Sequence, residues 1–218
     1  MKSYKLIIFD WDGTLMDSAA KIVSCMQLAA KSCDVAVPSA QQASDIIGIS
    51  LRPAIQKLFA TDDEGLTDRL VAAYKKAYLQ QDVKPCPMFT GAIAMLQALK
   101  DDKRQLAVAT GKARRGLNRV WQHTGTGDFF TTSRTADEAE SKPSSDMLLQ
   151  ILQETGVDVT DALMVGDTTY DMQMAQAIGM DRIGVSYGVH AQVHLENHAP
   201  LAVVHSVGEL QSMLLPHY

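Results

Sequence analysis

Two aspartates stand close together near the start of the chain, and their spacing could support chemistry. Asp10 and Asp12 lie in the segment Phe9–Thr14, directly after a short apolar run. Side chains two residues apart on an extended strand point the same way. The two carboxylates would therefore repel each other unless a cation lies between them or one of them keeps its proton. A magnesium ion can hold a carboxylate and a substrate phosphate together, and a retained proton can be passed to a leaving oxygen.

Polar residues with matching chemistry occur later in the chain. Asp167 could complete a metal site, and Asp171 would lie about one helical turn further on, on the same face. Thr110 and Gly111 offer a hydroxyl group and a backbone N–H at a predicted helix N-terminus, where anions are favoured. Lys142 supplies a positive charge for a phosphate and for a neighbouring carboxylate. Together these residue types predict a site for a phosphorylated ligand and a metal.

Asp10, Asp12, Thr110 and Asp167 lie at the ends of segments that predict buried strands. These segments are the short apolar runs Tyr4–Phe9, Gln105–Thr110 and Ala162–Gly166. Predicted helices alternate with the strands, which favours βαβ crossovers and a doubly wound, Rossmann-like α/β sheet of parallel strands. Ligands of such sheets bind at the carboxyl ends of the strands, so we expect the polar residues to meet at one edge.

The remaining elements predicted for this part of the chain follow the same alternation. Helices are predicted at Thr90–Lys100, Ala113–His123, Ser144–Thr155 and Thr169–Ile178. Further short strands are predicted at Phe129–Thr132, Arg182–Val185 and Leu201–Val204.

The stretch after the first strand has a different character. Apolar residues at helical spacing, such as Ile22, Met26 and Ala29, recur without any strand pattern and predict about four helices. Lys84–Pro87 then has the prolines of a linker. We therefore predict a Rossmann-like core made of residues 1–15 and 85–218. An all-helical cap domain, residues 16–84, is inserted into it after the first strand.

The order of these motifs resembles that of the haloacid dehalogenase superfamily, and in particular its phosphoglycolate phosphatase-like branch. The motifs are the segment Asp10–Thr14, then Thr110, then Lys142, then Gly166–Asp171. The resemblance covers essentially all 218 residues, with Trp11 where phenylalanine is commoner in the family. It implies a magnesium-dependent phosphatase that acts on a small phosphorylated metabolite.

The resemblance also implies a role for each catalytic residue. Asp10 would attack phosphorus and form an aspartyl-phosphate. Asp12 would protonate the leaving oxygen and then act as the base toward the hydrolytic water. Thr110 and Lys142 would hold the phosphoryl oxygens, next to the N–H group of Gly111.

The metal site and one substrate contact are implied in the same way. Magnesium would be bound by Asp10, by the main-chain carbonyl of Asp12 and by Asp167, with Asp171 supporting it through water. Arg52 lies in a segment that resembles the cap loop that touches substrate in related enzymes. For Arg52 a substrate contact and a solvated position both stay open.

Composition excludes several other classes of protein. The chain is 46% hydrophobic and 21% charged, which is ordinary for a soluble globular enzyme. Its net charge of -5 and the lack of a basic stretch argue against nucleic-acid binding. No apolar run is long enough for a bilayer, and the N-terminus does not resemble a signal peptide. We expect a cytoplasmic monomer.

Several alternative functions use similar residues. A sugar-phosphate phosphomutase or a pyrophosphatase would share the whole site, and a phosphomutase would not release phosphate without a sugar acceptor. A signalling receiver domain also has an acidic pair, a phosphorylated aspartate, a threonine and a lysine. Its acidic pair is normally adjacent, however, and it has no helical insertion. Dehalogenase chemistry does not need Asp12.

Three histidines could imitate a metal site. His190, His194 and His198 are spaced four residues apart and would share a face of one helix. Gly188 and Pro200 bound a short segment around them, and no acids or cysteines join them. A solvated connection is the favoured interpretation.

Overall fold

A parallel sheet forms the centre of the molecule. The structure is a computed structural model, and it describes residues 2–81 and 86–215. In this part of the chain six strands are arranged in the order β3-β2-β1-β4-β5-β6. Phe9 of the central strand pairs with Val108 on one side and with Val165 on the other. The strands are β1 Leu6–Phe9, β2 Gln105–Ala109, β3 Thr132–Arg134, β4 Ala162–Gly166, β5 Asp181–Val185 and β6 Ala202–Val204.

The helices fall into two groups. Four of them, with a π-helical turn and the connections between them, lie between β1 and α5 and are called the helical block: α1 Ala19–Ser32, α2 Ala40–Ser44, α3 Leu51–Phe59, α4 Glu64–Lys76 and the turn Ala77–Gln81. The others follow the block and alternate with the strands: α5 Ala92–Asp101, α6 Arg114–Thr124, α7 Asp146–Thr155, α8 Thr169–Ala177, α9 Gln192–Glu196 and α10 Val207–Leu214.

The sheet is covered on both faces because its central strands are apolar on both sides. Ile7 and Phe9 pack with residues of α5, α6 and α10, whereas Leu6 and Ile8 pack with residues of α7 and α8. Every residue of β1 and β4 is buried, as expected for parallel strands between two helical layers. The predicted doubly wound α/β fold is confirmed.

The helical block has an apolar core of its own. Met26, Ile55 and Leu70 belong to this cluster, and Tyr170 of α8 joins it. The two connections to the sheet run side by side, because Asp17 N–H donates to Pro87 O (2.8 Å) and Phe89 N–H donates to Leu15 O (2.9 Å). The cap boundaries stay a prediction, and residues 84 and 85 of the predicted linker lie outside the described residues.

One predicted strand was wrong in its placement. The apolar residues of Phe129–Thr132 do not form a ladder, because residues 127–129 form a 3-10 turn and β3 begins at Thr132. Phe130 instead stacks on Trp121, with ring centroids 5.5 Å apart, and lies edge-on to Trp11 at 6.0 Å. The aromatic side chains therefore serve packing between α6 and the sheet.

Two helices were not predicted. For α10 the sequence contains a helix-start signal, a serine at position 206 with a glutamate three residues later. In the structure the side chain of Ser206 accepts a hydrogen bond from Glu209 N–H. The short helix α9 lies in the segment for which a solvated connection was predicted.

Candidate active site

The predicted polar residues meet at one edge of the sheet. Asp10 directly follows β1, Thr110 follows β2, and Asp167 follows β4. All three side chains are buried. The chain leaves β1 for β2 on one side, whereas the later crossover from β3 leads to β4 on the other side of β1. This reversal of strand order leaves a crevice at the carboxyl ends of the strands. The fold therefore places these residues where doubly wound proteins bind ligands.

Lys142 connects two of the buried acids. It lies in the loop between β3 and α7, and its Nζ is 2.8 Å from Asp10 Oδ1 and 2.6 Å from Asp171 Oδ1. Burial opposes a charge on this lysine, but the two carboxylates more than offset that cost and raise its pKa above the ordinary value. Lys142 is therefore a permanent ammonium group at the base of the site.

Asp171 is held by the start of α8. Its Oδ2 accepts hydrogen bonds from Thr168 Oγ1 (2.7 Å) and from Thr168 N–H (3.1 Å), while Asp171 N–H donates back to Thr168 Oγ1. This reciprocal arrangement is a capping box, so the local rule that begins the helix also fixes the carboxylate. With Lys142 on its other oxygen, both oxygens of Asp171 have partners.

Asp167 is enclosed by the backbone. Its Oδ1 accepts from Thr14 Oγ1 (2.9 Å), and its Oδ2 accepts from Val189 N–H (2.9 Å). A Cβ atom at Gly13 would lie 2.1 Å from Oδ2, and Gly13 has a φ of +85°, which also favours glycine. Burial, and then the negative charge of Asp171, raise the pKa of Asp167 to about 7.

Within the described ranges, three carboxylates lie around one ammonium group. Oxygens of Asp10, Asp167 and Asp171 lie within 4.8 Å of one another, and Lys142 is the cation between two of them. Although Lys142 lies close, neither oxygen of Asp10 accepts a well-aligned hydrogen bond from the described residues. Burial raises the pKa of Asp10 well above its ordinary value. The excess negative charge and the unsatisfied oxygens fit a divalent cation.

Asp12 lies outside this group of acids and has partners that sequence reasoning missed. Its Oδ1 accepts from Ser18 Oγ (2.6 Å), and its Oδ2 lies 3.0 Å from Lys112 Nζ. Lys112 also lies over the ring of Tyr78, 5.4 Å from its centroid. The position of Lys112, two residues beyond Thr110 at a strand end, indicated that Lys112 lies near the site but not that it pairs with Asp12.

The helical block contacts the loops at the strand ends. A Cβ atom at Gly111 would lie 2.6 Å from Gly48 O and 2.7 Å from Ile49 O, so the two backbones nearly touch. Ser50 N–H donates to Ser141 Oγ (2.9 Å), next to Lys142. The helical block therefore covers the polar residues.

A cavity of about 400 Å³ lies between the helical block and the strand ends. Its floor contains Asp10, Asp12, Thr110, Gly111 and Lys112. Most of the wall is apolar and comes from the helical block. The wall also contains three cationic residues, in addition to Lys112 of the floor. The apolar wall residues are Ile22, Met26, Ile46, Ile47, Ile49, Leu51, Ala54 and Leu79, together with the rings of Tyr74 and Tyr78; the cationic ones are Lys75, Arg115 and Arg119.

The structure does not bring Arg52 to this cavity. Arg52 lies on α3, exposed, and forms ion pairs with Glu64 and Asp68 of α4. The prediction of a substrate contact therefore has no support in this geometry, because the guanidinium group is used within the helical block.

The three histidines do not form a metal site in the described part of the chain. His190 Nδ1 accepts from Thr169 N–H (3.0 Å), and its ring lies 5.6 Å from that of Tyr170. His198 contacts side chains of α8, whereas His194 is exposed. The prediction of a solvated connection was therefore wrong for His190, which helps to hold the start of α8.

Comparison with known proteins identifies the family. The family of haloacid dehalogenase-like hydrolases matches residues 7–185. A probable phosphatase, IndB, from Dickeya dadantii is 32% identical over 94% of this chain and 91% of its own length. The tyrosine-protein kinase PtkA of Mycobacterium tuberculosis is 28% identical over 98% and 73%. A phosphoglycolate phosphatase from Agrobacterium fabrum is 30% identical over 84% and 81%.

A solved structure agrees with these relatives. The crystal structure described as a predicted phosphatase from Clostridium acetobutylicum superposes with a TM-score of 0.88, at 25% identity, over 99% of this chain and all of that one. The chain therefore belongs to the haloacid dehalogenase-like hydrolases, as the motif order indicated. In the described residues no helix is both long and apolar enough to cross a membrane.

Proposed function

We propose that this hydrolase is a magnesium-dependent phosphatase that cleaves a small phosphomonoester through an aspartyl-phosphate on Asp10. The observation that carries the proposal is the state of Asp10. It is a buried carboxylate on the floor of a cavity, with oxygens that accept no well-aligned hydrogen bond from the described residues and an ammonium group at 2.8 Å. A carboxylate that is not tied up by neighbouring donors is available as a nucleophile.

The first half of the reaction uses the two aspartates that opened the sequence. A carboxylate oxygen of Asp10 forms a bond to phosphorus, and the bond from phosphorus to the leaving oxygen breaks. Asp12 gives its proton to that oxygen, so the product leaves as an alcohol. Ser18 and Lys112 fix the orientation of the Asp12 carboxylate.

The second half reverses the roles. Asp12, now deprotonated, takes a proton from water, and the water oxygen attacks the phosphorus of the aspartyl-phosphate. Inorganic phosphate leaves and Asp10 is restored. Thr110 Oγ1, the N–H of Gly111 and Lys142 would hold the phosphoryl oxygens in both halves.

The acid cluster supports magnesium as the cofactor. Asp10, Asp167 and the main-chain carbonyl of Asp12 would hold the ion, with Asp171 behind them, because both oxygens of Asp171 already have protein partners. When bound, the ion supplies positive charge that draws the phosphate and the nucleophile together and stabilises the charge that develops on oxygen. In its absence Lys142 offsets part of the charge of the three acids.

Other transfers of the same phosphoryl group remain as alternatives. A phosphomutase, a pyrophosphatase or a kinase of the kind that one relative's name describes could use the same residues. The apolar wall favours an organic phosphate over inorganic pyrophosphate. Family membership argues against the receiver-domain alternative. A helical cap domain, a monomeric state and a cytoplasmic location stay part of the proposal.

A direct assay tests the proposed function. The purified chain is incubated with 4-nitrophenyl phosphate in magnesium, without any acceptor other than water, and inorganic phosphate is measured. We expect release that stops with EDTA and returns when magnesium is added in excess. Activity that survives complete metal removal would refute the ion site, and phosphate release that requires a sugar or protein acceptor would favour transfer over hydrolysis.

A further inference from the structure

We infer that the natural substrate is a phosphomonoester with an apolar body of about the size of an aromatic ring and a second negative charge besides its phosphate. This inference rests on the proposed function, because it places the phosphate at Asp10. It concerns the other regions of the cavity: the apolar wall and the cationic residues that share its lining.

The size of the cavity argues against a very small substrate. Its volume of about 400 Å³ is in the range of cavities that hold whole organic ligands. The organic part of phosphoglycolate is a single carboxymethyl group, which would leave most of this space to water against apolar side chains. That arrangement gains little from the hydrophobic effect.

The composition of the wall argues for an apolar body. Met26, Ile46 and Ile49 are buried in the helical block and face the cavity. The rings of Tyr74 and Tyr78 lie 5.9 Å apart at an angle of 32° and form one side of it. A sugar phosphate would have to place several hydroxyl groups against this wall without partners, at a cost for each of them. An aromatic or branched aliphatic group would fit it.

Two arginines that share the lining have no ion-pair partner in residues 2–81 and 86–215. Arg115 and Arg119 are four residues apart on α6, so they share a face of the helix, and both are exposed. Arg114 beside them is instead paired with Glu138. Asp137 also lines the cavity, but it accepts hydrogen bonds from Arg114 N–H and Thr135 Oγ1.

These charges indicate a second anionic group on the substrate. The phosphate binds Lys142 and Thr110 at the floor, whereas Arg115, Arg119 and Lys75 offer positive charge elsewhere in the lining. A guanidinium group without a partner binds a carboxylate or a second phosphate through two parallel hydrogen bonds. The substrate therefore carries an apolar part and, besides its phosphate, a second anionic group.

Matched substrates test the apolar body. Benzyl phosphate, 4-carboxybenzyl phosphate, ribose 5-phosphate and phosphoglycolate are all esters of primary alcohols, so differences between leaving groups are small. We expect kcat/KM to be highest for 4-carboxybenzyl phosphate and at least tenfold lower for phosphoglycolate and ribose 5-phosphate. If either of the last two matches or exceeds benzyl phosphate, the apolar body is refuted.

Arginine variants test the second anionic group. Arg115→Gln combined with Arg119→Gln should lower kcat/KM for 4-carboxybenzyl phosphate about tenfold and leave benzyl phosphate unchanged. Arg69→Gln, an exposed arginine of α4 outside the cavity lining, is the control and should change neither. Equal losses on both substrates, or no loss on either, would overturn the second anionic group.

A binding measurement separates this inference from the proposed function. The non-hydrolysable benzylphosphonate and 4-carboxybenzylphosphonate are titrated into the magnesium-loaded chain by calorimetry. Tighter binding of the carboxylated compound, lost in the double arginine variant, supports the inference even if no ester is turned over. Absent turnover would then count against the phosphatase proposal alone. Equal binding of the two compounds would count against the inference alone.

Discussion

The floor and the wall of the cavity come from different parts of the chain and are built on different chemistry. The floor lies at the ends of parallel strands and above buried charges, because Asp10 forms an ion pair with Lys142, and Lys142 forms another with Asp171. The wall comes mostly from the helical block and is largely apolar. The difference indicates a division of labour, in which the floor carries out the reaction on phosphorus and the wall selects the molecule that carries it.

Replacing the nucleophile should give the largest effect and should not depend on the substrate. Asp10→Asn removes the attacking charge while keeping the shape of the side chain, so we expect kcat to fall by about 10⁴-fold or more on every phosphomonoester. Phosphate release is measured in magnesium. Asp62→Asn, an exposed aspartate outside the cavity lining, serves as the control. Substantial turnover by Asp10→Asn would show that Asp10 is not the nucleophile.

Loss of the buried ammonium group should come next. Lys142→Met keeps much of the volume but leaves Asp10 and Asp171 without their cation. We expect kcat to fall by about 10²- to 10³-fold, because a fixed positive charge near the reacting phosphate is lost. Lys31→Met, at an exposed lysine of α1, should retain full activity. A change in KM alone, with kcat intact, would contradict the placement of Lys142 at the reacting group.

The acids of the floor should also make stability depend on pH. The pKa of Asp167 rises to about 7 on folding, so between about pH 4 and 7 the folded chain binds more protons than the unfolded chain. The metal-free Tm should therefore fall by about 4 °C or more as the pH rises from 5 to 8. Magnesium binds the deprotonated acids and should raise Tm more at pH 8 than at pH 5.

The variant Asp167→Asn isolates this contribution, since it removes the titrating group. Its metal-free Tm should depend less on pH than that of the unaltered chain, and magnesium should raise it less. Thermal unfolding of both proteins with and without magnesium makes the comparison. An unchanged pH dependence in Asp167→Asn would show that the floor acids do not control stability in this way.

The wall should give the smallest effect, and one that depends on the substrate. Leu79 lines the cavity and is 50% exposed, so Leu79→Asn should not disturb folding. We expect kcat/KM on benzyl phosphate to fall by about three- to tenfold, as a half-buried apolar contact is lost, with no change on phosphoglycolate. Leu149→Asn is the matched control, because Leu149 is 52% exposed on α7 outside the cavity lining. Equal losses on both substrates would show that the wall does not select.

The floor could be predicted from the sequence far better than the wall. Asp10, Thr110 and Asp167 each follow a short apolar run, and strand ends in a parallel sheet share an edge, so local pattern alone places them together. The contact between Lys112 and Asp12 could not be derived, because it depends on how the loop after β2 turns. For the capping box of Thr168 and Asp171, the sequence shows only that the two residues are three apart, and the hydrogen bonds between them are seen in the structure.

The wall depends on packing between helices, which spacing does not determine. The sequence predicted about four helices in the helical block, but not which of their apolar residues face the cavity and which face the core around Leu70. Arg52 illustrates the problem, because its position in a familiar segment suggested a substrate contact, whereas the structure pairs it with Glu64 and Asp68. Similarly, the aromatic run near Phe130 suggested a strand but serves packing.

The most direct test of the account is to trap the covalent intermediate. In Asp12→Asn the base for the second half of the reaction is missing, so an aspartyl-phosphate formed from an activated aryl phosphate in magnesium should accumulate. After acid quenching and proteolysis, mass spectrometry should find one added phosphoryl group on the peptide that contains Asp10, and none when Asp10 is also changed to Asn. An unmodified Asp10 during turnover, or a phosphoryl group on another residue, would contradict the proposed mechanism.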